Sequence, residues 1–207
     1  MDKLRFWIAL WGGKVLLWLF KLTGHRKDDR PGMAAVRLCE NFMTYVKKPK
    51  LTIAVTGTNG KTSISSMIAN VLQMDGKKVA YNDWGANHFA GQARLLLDAV
   101  NVFNCSTKDV AVIEADELIA PVNVPRQAPN YLIVNNLARD SMIRNAHPAY
   151  IQQHLKDAIH NTPNCVLLLN ADDPLVCFLG ENQRRIYFGV NNLHNTTAEY
   201  IVDDFPV

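Results

Sequence analysis

Residues 51–62 read LTIAVTGTNGKT, an apolar run followed by a glycine-rich turn. The apolar run is typical of a buried strand, and residues 61–74 continue with helical periodicity. Glycines let the backbone turn tightly, so that its N–H groups point at a phosphate while the helix N-terminus adds positive potential. The Lys61 side chain can reach the β- and γ-phosphates, and the Thr62 hydroxyl suits Mg²⁺. The stretch predicts a nucleotide phosphate-binding loop.

The loop departs in one place from the common phosphate-loop form G-x-x-x-x-G-K-[ST]. Val55 stands where that form begins with glycine, whereas G-x-x-G-K-T is retained at the junction of strand and helix. A simple glycine-rich turn without a ligand is the alternative. The residues predicted to contact the nucleotide phosphates are Gly57, Thr58, Asn59, Gly60, Lys61, Thr62 and Ser63.

Outward from this loop, apolar strand patterns alternate with helical ones. Strands are predicted over 51–56, 77–81, 109–114, 130–135, 165–169 and 185–190, and helices over 61–74, 88–100 and 149–160. Residues 115–129 look irregular, and 172–179 look helical or turn-like. This alternation predicts an α/β fold of P-loop type, with a mostly parallel sheet and helices on both faces.

Three regions are predicted along the chain. Residues 1–48 form a basic and apolar helical arm, with helices over 6–20 and 33–46 separated by a Pro- and Gly-containing break. Residues 49–190 form the nucleotide-binding domain, and residues 191–207 form a polar connecting tail.

Composition excludes several classes of protein. The 207 residues are 48% hydrophobic and 20% charged, which excludes a wholly disordered, collagen-like or low-complexity chain. The four cysteines include no C-x-x-C pair, so neither a disulfide framework nor a zinc site within this chain is expected. We therefore expect a cytoplasmic protein.

Charge is unevenly distributed. Residues 1–50 hold eleven Lys/Arg against four Asp/Glu, a net +7, whereas residues 51–207 hold eleven against fifteen, a net −4. A basic arm favours an anionic partner such as a phospholipid surface or nucleic acid. Of these we expect the phospholipid surface and no nucleic acid, and a solvated arm is the alternative.

The segment 6–20, FWIALWGGKVLLWLF, has twelve apolar residues in fifteen. It is shorter than the roughly 20 residues that span a bilayer, and no small-residue cleavage site follows it. Lys3, Lys14 and Lys21 fall within about 20° of each other at 100° per residue, as on an interfacial helix. Three readings stay open: a helix packed on the body, membrane-surface contact through residues 3–22, and an anchor.

The loop T-G-T-N-G-K-T resembles that of the ATP-binding central domain of the Mur ligase family. Within that family the chain looks most like the MurT subunit of lipid II isoglutaminyl synthase. Four further segments carry this resemblance: NDWGAN at 82–87 with Ala90-Gly91, AVIEADE at 111–117, NLARD at 136–140 and LNADDP at 169–174. The resemblance implies that residues 49–190 are an incomplete Mur ligase-like ATP-binding domain.

The acidic segment AVIEADE at 111–117 lies at the end of a predicted strand. Glu114 follows the apolar run, so its carboxylate emerges at the strand's C-terminal edge, where α/β proteins bind ligands. The resemblance implies that Glu114 and Thr62 hold a magnesium ion that bridges ATP to the acceptor, with Lys61 and Glu114 as the catalytic residues. Asp116 and Glu117 assist them, or form a solvated acidic turn.

Three more residues are implied at the cofactor. Asn87 faces the phosphates or the substrate, or else caps a loop. Asn136 and Arg139 contact the cofactor, although Arg139 and the neighbouring Asp140 form a structural ion pair in the alternative reading.

The resemblance also implies the reaction. ATP would phosphorylate the α-carboxylate of D-glutamate in the lipid II stem peptide, and ammonia would attack the acyl phosphate. The resemblance implies that a GatD-like glutamine amidotransferase subunit supplies the ammonia, and the lack of a visible Cys-His glutaminase pattern in this chain agrees with that. The location implied is the cytoplasm, at the inner face of the membrane.

Departures from the family pattern keep two other functions open. The family has Gln and Asp where this chain has Ser141 and Ile143, and Trp84 replaces an expected Glu. The resemblance implies that the family's four-cysteine zinc ribbon, the rest of its central domain and its C-terminal ligase domain would lie beyond Val207. Because that last domain closes over ATP in the family, we expect weak ATP hydrolysis at most, and no amidation, from these 207 residues alone. The alternatives are a non-catalytic nucleotide-binding relative with a regulatory role, and another Mur-type ligase such as a folylpolyglutamate synthase-like enzyme.

Overall fold

A computed structural model describes residues 2–25, 27–81, 87–138 and 147–190. Its helices are α1 (Asp2–Leu22), α2 (Arg30–Leu38), α3 (Phe42–Tyr45), α4 (Lys61–Met74), α5 (Phe89–Ala99), α6 (Ala120–Gln127) and α7 (Pro148–His160). Its strands are β1 (Leu51–Thr56), β2 (Val79–Ala80), β3 (Val110–Glu114), β4 (Tyr131–Val134), β5 (Val166–Asn170) and β6 (Arg185–Phe188).

The six strands form one parallel sheet in the order β2-β3-β1-β4-β5-β6. Strand β1 is central, with Ile53 paired to Val112 of β3 on one side and to Tyr131 of β4 on the other. From β1 the chain passes to β2 and β3 on one side of it and then to β4 on the other side. Because the strands are parallel, the loops after β1, β3 and β4 meet at one edge of the sheet. Such a switch point is where open α/β sheets bind ligands.

Helices cover both faces of the sheet, as predicted. Strand side chains alternate between the two faces, so Val55 packs with α4 on one face while its neighbour Ala54 packs with α6 and α7 on the other. Helix α5 joins the α1–α3 helices over Ala111 and Ile113 on that second face. The predicted α/β fold is thus confirmed.

Element boundaries follow the prediction closely in the sheet. β1 and α4 have the predicted bounds, and the other strands begin and end within two residues of theirs. The prediction of an irregular 115–129 was wrong, because α6 lies there. Pro121 is in its first turn, where a missing N–H removes no helical hydrogen bond, although Pro125 lies inside the helix.

The second predicted helix, over 33–46, is two helices. α2 starts earlier, at Arg30, because Pro31 is accommodated in the first turn. α2 then ends at Leu38, where Cys39 adopts an extended backbone, and the short helix α3 follows. The tail 191–207 lies outside the described residues, and the predicted boundary at 48/49 stays a prediction.

Helix α1 packs on the body of the protein. It buries Phe6, Leu10 and Leu17 in one apolar cluster with Leu96 and Leu97 of α5. Among the described residues, no helix has the length and apolar character needed to cross a membrane.

The predicted lysine face of α1 needs correction. Lys14 turns inward, where its ammonium donates to the carbonyl of Val100, and burial lowers the pKa of Lys14 to about 8. The Lys21 ammonium lies 3.1 Å from the Asp98 carboxylate. Two of the three lysines therefore attach α1 to the end of α5.

Helix α2 crosses α5 backbone to backbone at Gly32. A Cβ at Gly32 would lie 2.1 Å from the Ala90 carbonyl oxygen and 2.5 Å from the Arg94 nitrogen. Both atoms belong to the α5 backbone, which cannot rotate away as a side chain can. At Gly12 of α1, by contrast, the nearest atom would lie 3.9 Å away, in ordinary contact.

We predict that Gly32→Ala lowers the free energy of unfolding by about 2–3 kcal/mol, because the two helices must separate. The matched variant Gly12→Ala should leave stability unchanged or raise it by up to about 1 kcal/mol, through helix propensity. Urea unfolding of both variants measures the difference. Equal stability of the two variants would contradict the close crossing.

Candidate functional site

The loop between β1 and α4 bends at two glycines. Gly57 has φ +128° and Gly60 has φ +78°, both in the region that favours glycine. A Cβ at Gly57 would also lie 2.9 Å from the backbone oxygen of Asn136, so the loop needs glycine there for space as well as for conformation.

The segment after β4 holds this loop in place. Thr58 N–H donates to the Asn136 carbonyl at 2.8 Å, and Asn59 N–H donates to the Asn136 side-chain oxygen at 2.9 Å. The Asn135 amide donates to the Asn59 carbonyl at 2.7 Å, and Ala138 N–H donates to the Thr58 hydroxyl at 3.0 Å. Asn136 thus positions the loop, and its contact with a cofactor stays a prediction.

A cavity of about 390 Å³ opens at this edge of the sheet. Its lining residues are Thr58, Asn59, Gly60, Lys61, Thr62, Ser63, Asn87 and Glu114. Helix α4 begins there at Lys61, and the first N–H groups of a helix have no acceptor within the helix. The cavity therefore combines the positive end of a helix with a mostly polar lining, as an anion site requires.

Lys61 makes three hydrogen bonds beside the cavity. Its ammonium donates to the Gly57 carbonyl at 2.6 Å, to the Thr58 carbonyl at 3.1 Å and to the Glu117 carboxylate at 3.0 Å. The side chains of this ion pair are 12% and 3% exposed. An ammonium has three donors, so Lys61 must release at least one of these partners to bind a phosphate directly.

Thr62 and Glu114 present two oxygen donors side by side. The Thr62 hydroxyl donates to the Glu114 carboxylate at 2.8 Å, and both residues line the cavity. Hydroxyl and carboxylate oxygens are suitable Mg²⁺ ligands, and Mg²⁺ usually completes its shell with phosphates and water. The described ranges hold no cluster of three His, Cys, Asp or Glu suited to a metal ion. A magnesium ion here would need ligand oxygens from phosphate or water.

The acidic turn after β3 is buried. Glu114, Asp116 and Glu117 are 3%, 6% and 2% exposed. Asp116 accepts a hydrogen bond from the N–H of Leu118 at 2.9 Å, and Glu117 pairs with Lys61. The alternative of a solvated acidic turn was therefore wrong, because both carboxylates are held inside the protein.

A buried amide cluster that the sequence did not predict lies behind the cavity. The Gln92 amide donates to the Asn87 carbonyl at 2.6 Å and to the Glu114 carbonyl at 3.0 Å. Its oxygen accepts from the Asn123 and Gln127 amides, each at 2.7 Å. Gln92 thus connects two cavity residues to α6. Because α6 was not predicted, the sequence could not place Asn123 or Gln127 near the site.

Most predicted site residues come together in the structure. The loop from Thr58 to Ser63, together with Glu114 and Asn87, lines the cavity. The role of the Asn87 side chain stays a prediction. Arg139 and the departures at Trp84, Ser141 and Ile143 lie outside the described residues.

Residues 55–204 match the family model described as Mur ligase middle domain. The chain belongs to this family. Among curated relatives, the MurT subunit of lipid II isoglutaminyl synthase (glutamine-hydrolyzing) from Staphylococcus aureus strain COL is 29% identical over 90% of the chain. The MurT subunit from Streptococcus pneumoniae is 30% identical over 72% of it. The chain spans 42% and 33% of these two relatives.

Solved structures show the same Mur ligase fold. MurF from Acinetobacter baumannii has a TM-score of 0.61 at 16% identity, over 75% of this chain and 34% of that one. A pseudomurein peptide ligase type C from Methanothermus fervidus has a TM-score of 0.56 at 28% identity, over 74% of this chain and 30% of that one.

We predict that Gln92→Met lowers the free energy of unfolding by about 2–3 kcal/mol, since the partly buried Asn87 and three buried residues lose one shared amide. Gln73→Met is the matched control, because Gln73 is exposed on α4 and should tolerate the change. Thermal and urea unfolding compare the two variants. A Gln92→Met protein as stable as the control would show that the cluster does not hold the site.

Proposed function

We propose that this chain supplies the ATP-binding part of a ligase that converts the α-carboxylate of D-glutamate in lipid II to a carboxamide. The observation that carries this proposal is the cavity in which Lys61 and the Thr62–Glu114 pair meet at a helix N-terminus. The similarity to MurT over 90% of the chain supports the choice of reaction.

The nucleotide of this proposal is ATP, whose phosphates the cavity would bind. The N-terminus of α4 would receive the phosphate oxygens, and Lys61 would exchange Glu117 or a loop carbonyl for them. When bound, a magnesium ion on Thr62 and Glu114 would neutralise charge on the β- and γ-phosphates. Charge neutralisation and alignment are what phosphoryl transfer needs, so no nucleophilic side chain is required.

The proposed reaction has two steps. An oxygen of the D-glutamate α-carboxylate bonds to the γ-phosphorus, and ADP leaves. Ammonia then attacks the carbonyl carbon of the acyl phosphate, loses a proton, and expels inorganic phosphate that carries the former carboxylate oxygen. In both steps the contribution of this chain is to hold the phosphate charge, through Lys61 and the first turn of α4.

Ammonia would come from a GatD-like glutamine amidotransferase subunit. The MurT relatives are subunits of a glutamine-hydrolyzing synthase, which supports such a division of labour. Lipid II is a lipid-linked substrate, so the proposed place of work is the inner face of the membrane, where residues 3–22 would contact the lipid surface.

We predict that Lys61→Ala weakens binding of a magnesium complex of non-hydrolysable ATP about tenfold or more, because a charge-assisted contact to phosphate is lost. Lys156→Ala removes an equal charge from an exposed position on α7 and should bind like the parent. Glu114→Gln should reduce the gain in affinity that Mg²⁺ gives. Calorimetric titration with and without Mg²⁺ measures all three, and unchanged binding in Lys61→Ala refutes the assigned site.

Amidation is tested with lipid II that carries heavy oxygen in the D-glutamate α-carboxylate. A chimera that places this chain in the matched segment of a MurT relative, with its glutaminase, ATP and glutamine, should release phosphate containing one heavy oxygen. The chimera with Lys61→Ala should release none. Mass spectrometry reads the label and the carboxamide. ATP binding without amidation in the chimera would favour a non-catalytic nucleotide-binding relative instead.

A further inference from the structure

The outward side of α1 is apolar along its whole length. Six of its side chains recur at helical spacing and are each between 49% and 68% exposed: Leu4, Ile8, Trp11, Val15, Trp18 and Leu22. At 100° per residue they fall within an arc of about 80°, and we call them the outer stripe. A helix that only packed on a globular body would carry polar side chains there.

The outer stripe is opposite the face that packs on the body. Phe6, Leu10 and Leu17 are buried against α5 and its neighbours, whereas the outer stripe faces away from them. α1 is therefore apolar on two sides. A contiguous exposed apolar surface of this kind marks an interaction site.

A neighbouring loop extends this surface. The Trp11 indole donates to the Val102 carbonyl at 3.0 Å, which brings residues 101–104 against the outer stripe. Phe103 in this loop is 76% exposed. The loop is held by Asn104, whose side chain accepts from Lys47 N–H and donates to the Tyr45 carbonyl, each at 3.0 Å. Phe103 thus adds an aromatic ring on a fixed loop.

Basic side chains border the surface. Lys3 and Lys21 are exposed along one flank of the outer stripe, Arg5 lies on the other flank, and exposed Lys47 adjoins the loop. Asp2 is the one acidic residue of α1, and the Lys21 ammonium is paired with Asp98. Tryptophans on an apolar face with basic residues beside it are typical of a helix that lies in a membrane interface.

We propose that the outer stripe and the 101–104 loop dock on an anionic lipid bilayer, with α1 parallel to the membrane plane. The basic border complements phospholipid headgroups, whereas two copies meeting through this face would bring two basic borders together. The inference stands on the geometry of α1 and does not require the proposed amidation. If both hold, the surface keeps the ATP site near a lipid-linked substrate.

The test is flotation of the 207-residue chain with vesicles of phosphatidylglycerol and phosphatidylcholine. The triple variant Ile8→Gln/Val15→Gln/Trp18→Gln should lose about tenfold or more of its partition into the vesicles. The matched control Met67→Gln/Val71→Gln/Met74→Gln changes α4 side chains that are 65–88% exposed, and it should float like the parent. Pure phosphatidylcholine vesicles and high salt should both reduce binding.

Several outcomes would overturn the proposal. These are a parent chain that does not float, a triple variant that floats like the parent, and equal losses in the triple variant and the α4 control. Self-association of the parent that the triple variant abolishes, with flotation of neither, would assign the surface to a second copy. Binding of the ATP analogue in the same samples separates this surface from the nucleotide site.

A second variant keeps the test informative if the triple variant fails to fold. Lys3→Glu/Arg5→Glu changes only exposed charges and should weaken flotation with anionic vesicles while the thermal unfolding midpoint stays unchanged. Flotation of this variant equal to that of the parent would contradict the charge complementarity on which the choice of a lipid partner rests.

Discussion

The parallel pairing of β1 with β3 on one side and β4 on the other is the constraint on which the site depends. It brings three loops from distant parts of the chain to one edge of the sheet. The loop after β1 provides the phosphate cradle, the turn after β3 provides the buried carboxylates, and the segment after β4 supports the cradle through Asn136. The cradle contacts both of the other loops, through Asn136 and through the Lys61–Glu117 pair.

The charged side chains at the site are held by partners within the protein. The partly buried Lys61 ammonium donates to Glu117 and two loop carbonyls, and the Glu114 carboxylate accepts a hydrogen bond from the Thr62 hydroxyl. A buried ammonium without such partners would be costly. Phosphate binding would therefore require Lys61 to exchange one of these partners, whereas the Thr62 and Glu114 oxygens already lie side by side.

Support for the site reaches well beyond the cavity. Gln92 connects the end of β3 and Asn87 to α6, and α5, which carries Gln92, is in turn crossed by α2 at Gly32. The N-terminal helices therefore belong to the core on which the site is built. Helix α1 has a second side that the core does not use, and this side gives the protein a surface independent of its nucleotide chemistry.

Sequence alone determined the alternation of strands and helices, the phosphate loop and the carboxylate after β3, because these depend on local periodicity and on glycine conformation. It could not show α6, since two prolines obscure a helix that packing stabilises, nor the amide cluster that needs α6. The direction in which Lys14 points, and the burial of Glu117, were decided by tertiary structure alone. Spacing places a side chain on one side of a helix, but only the neighbouring elements determine what that side meets.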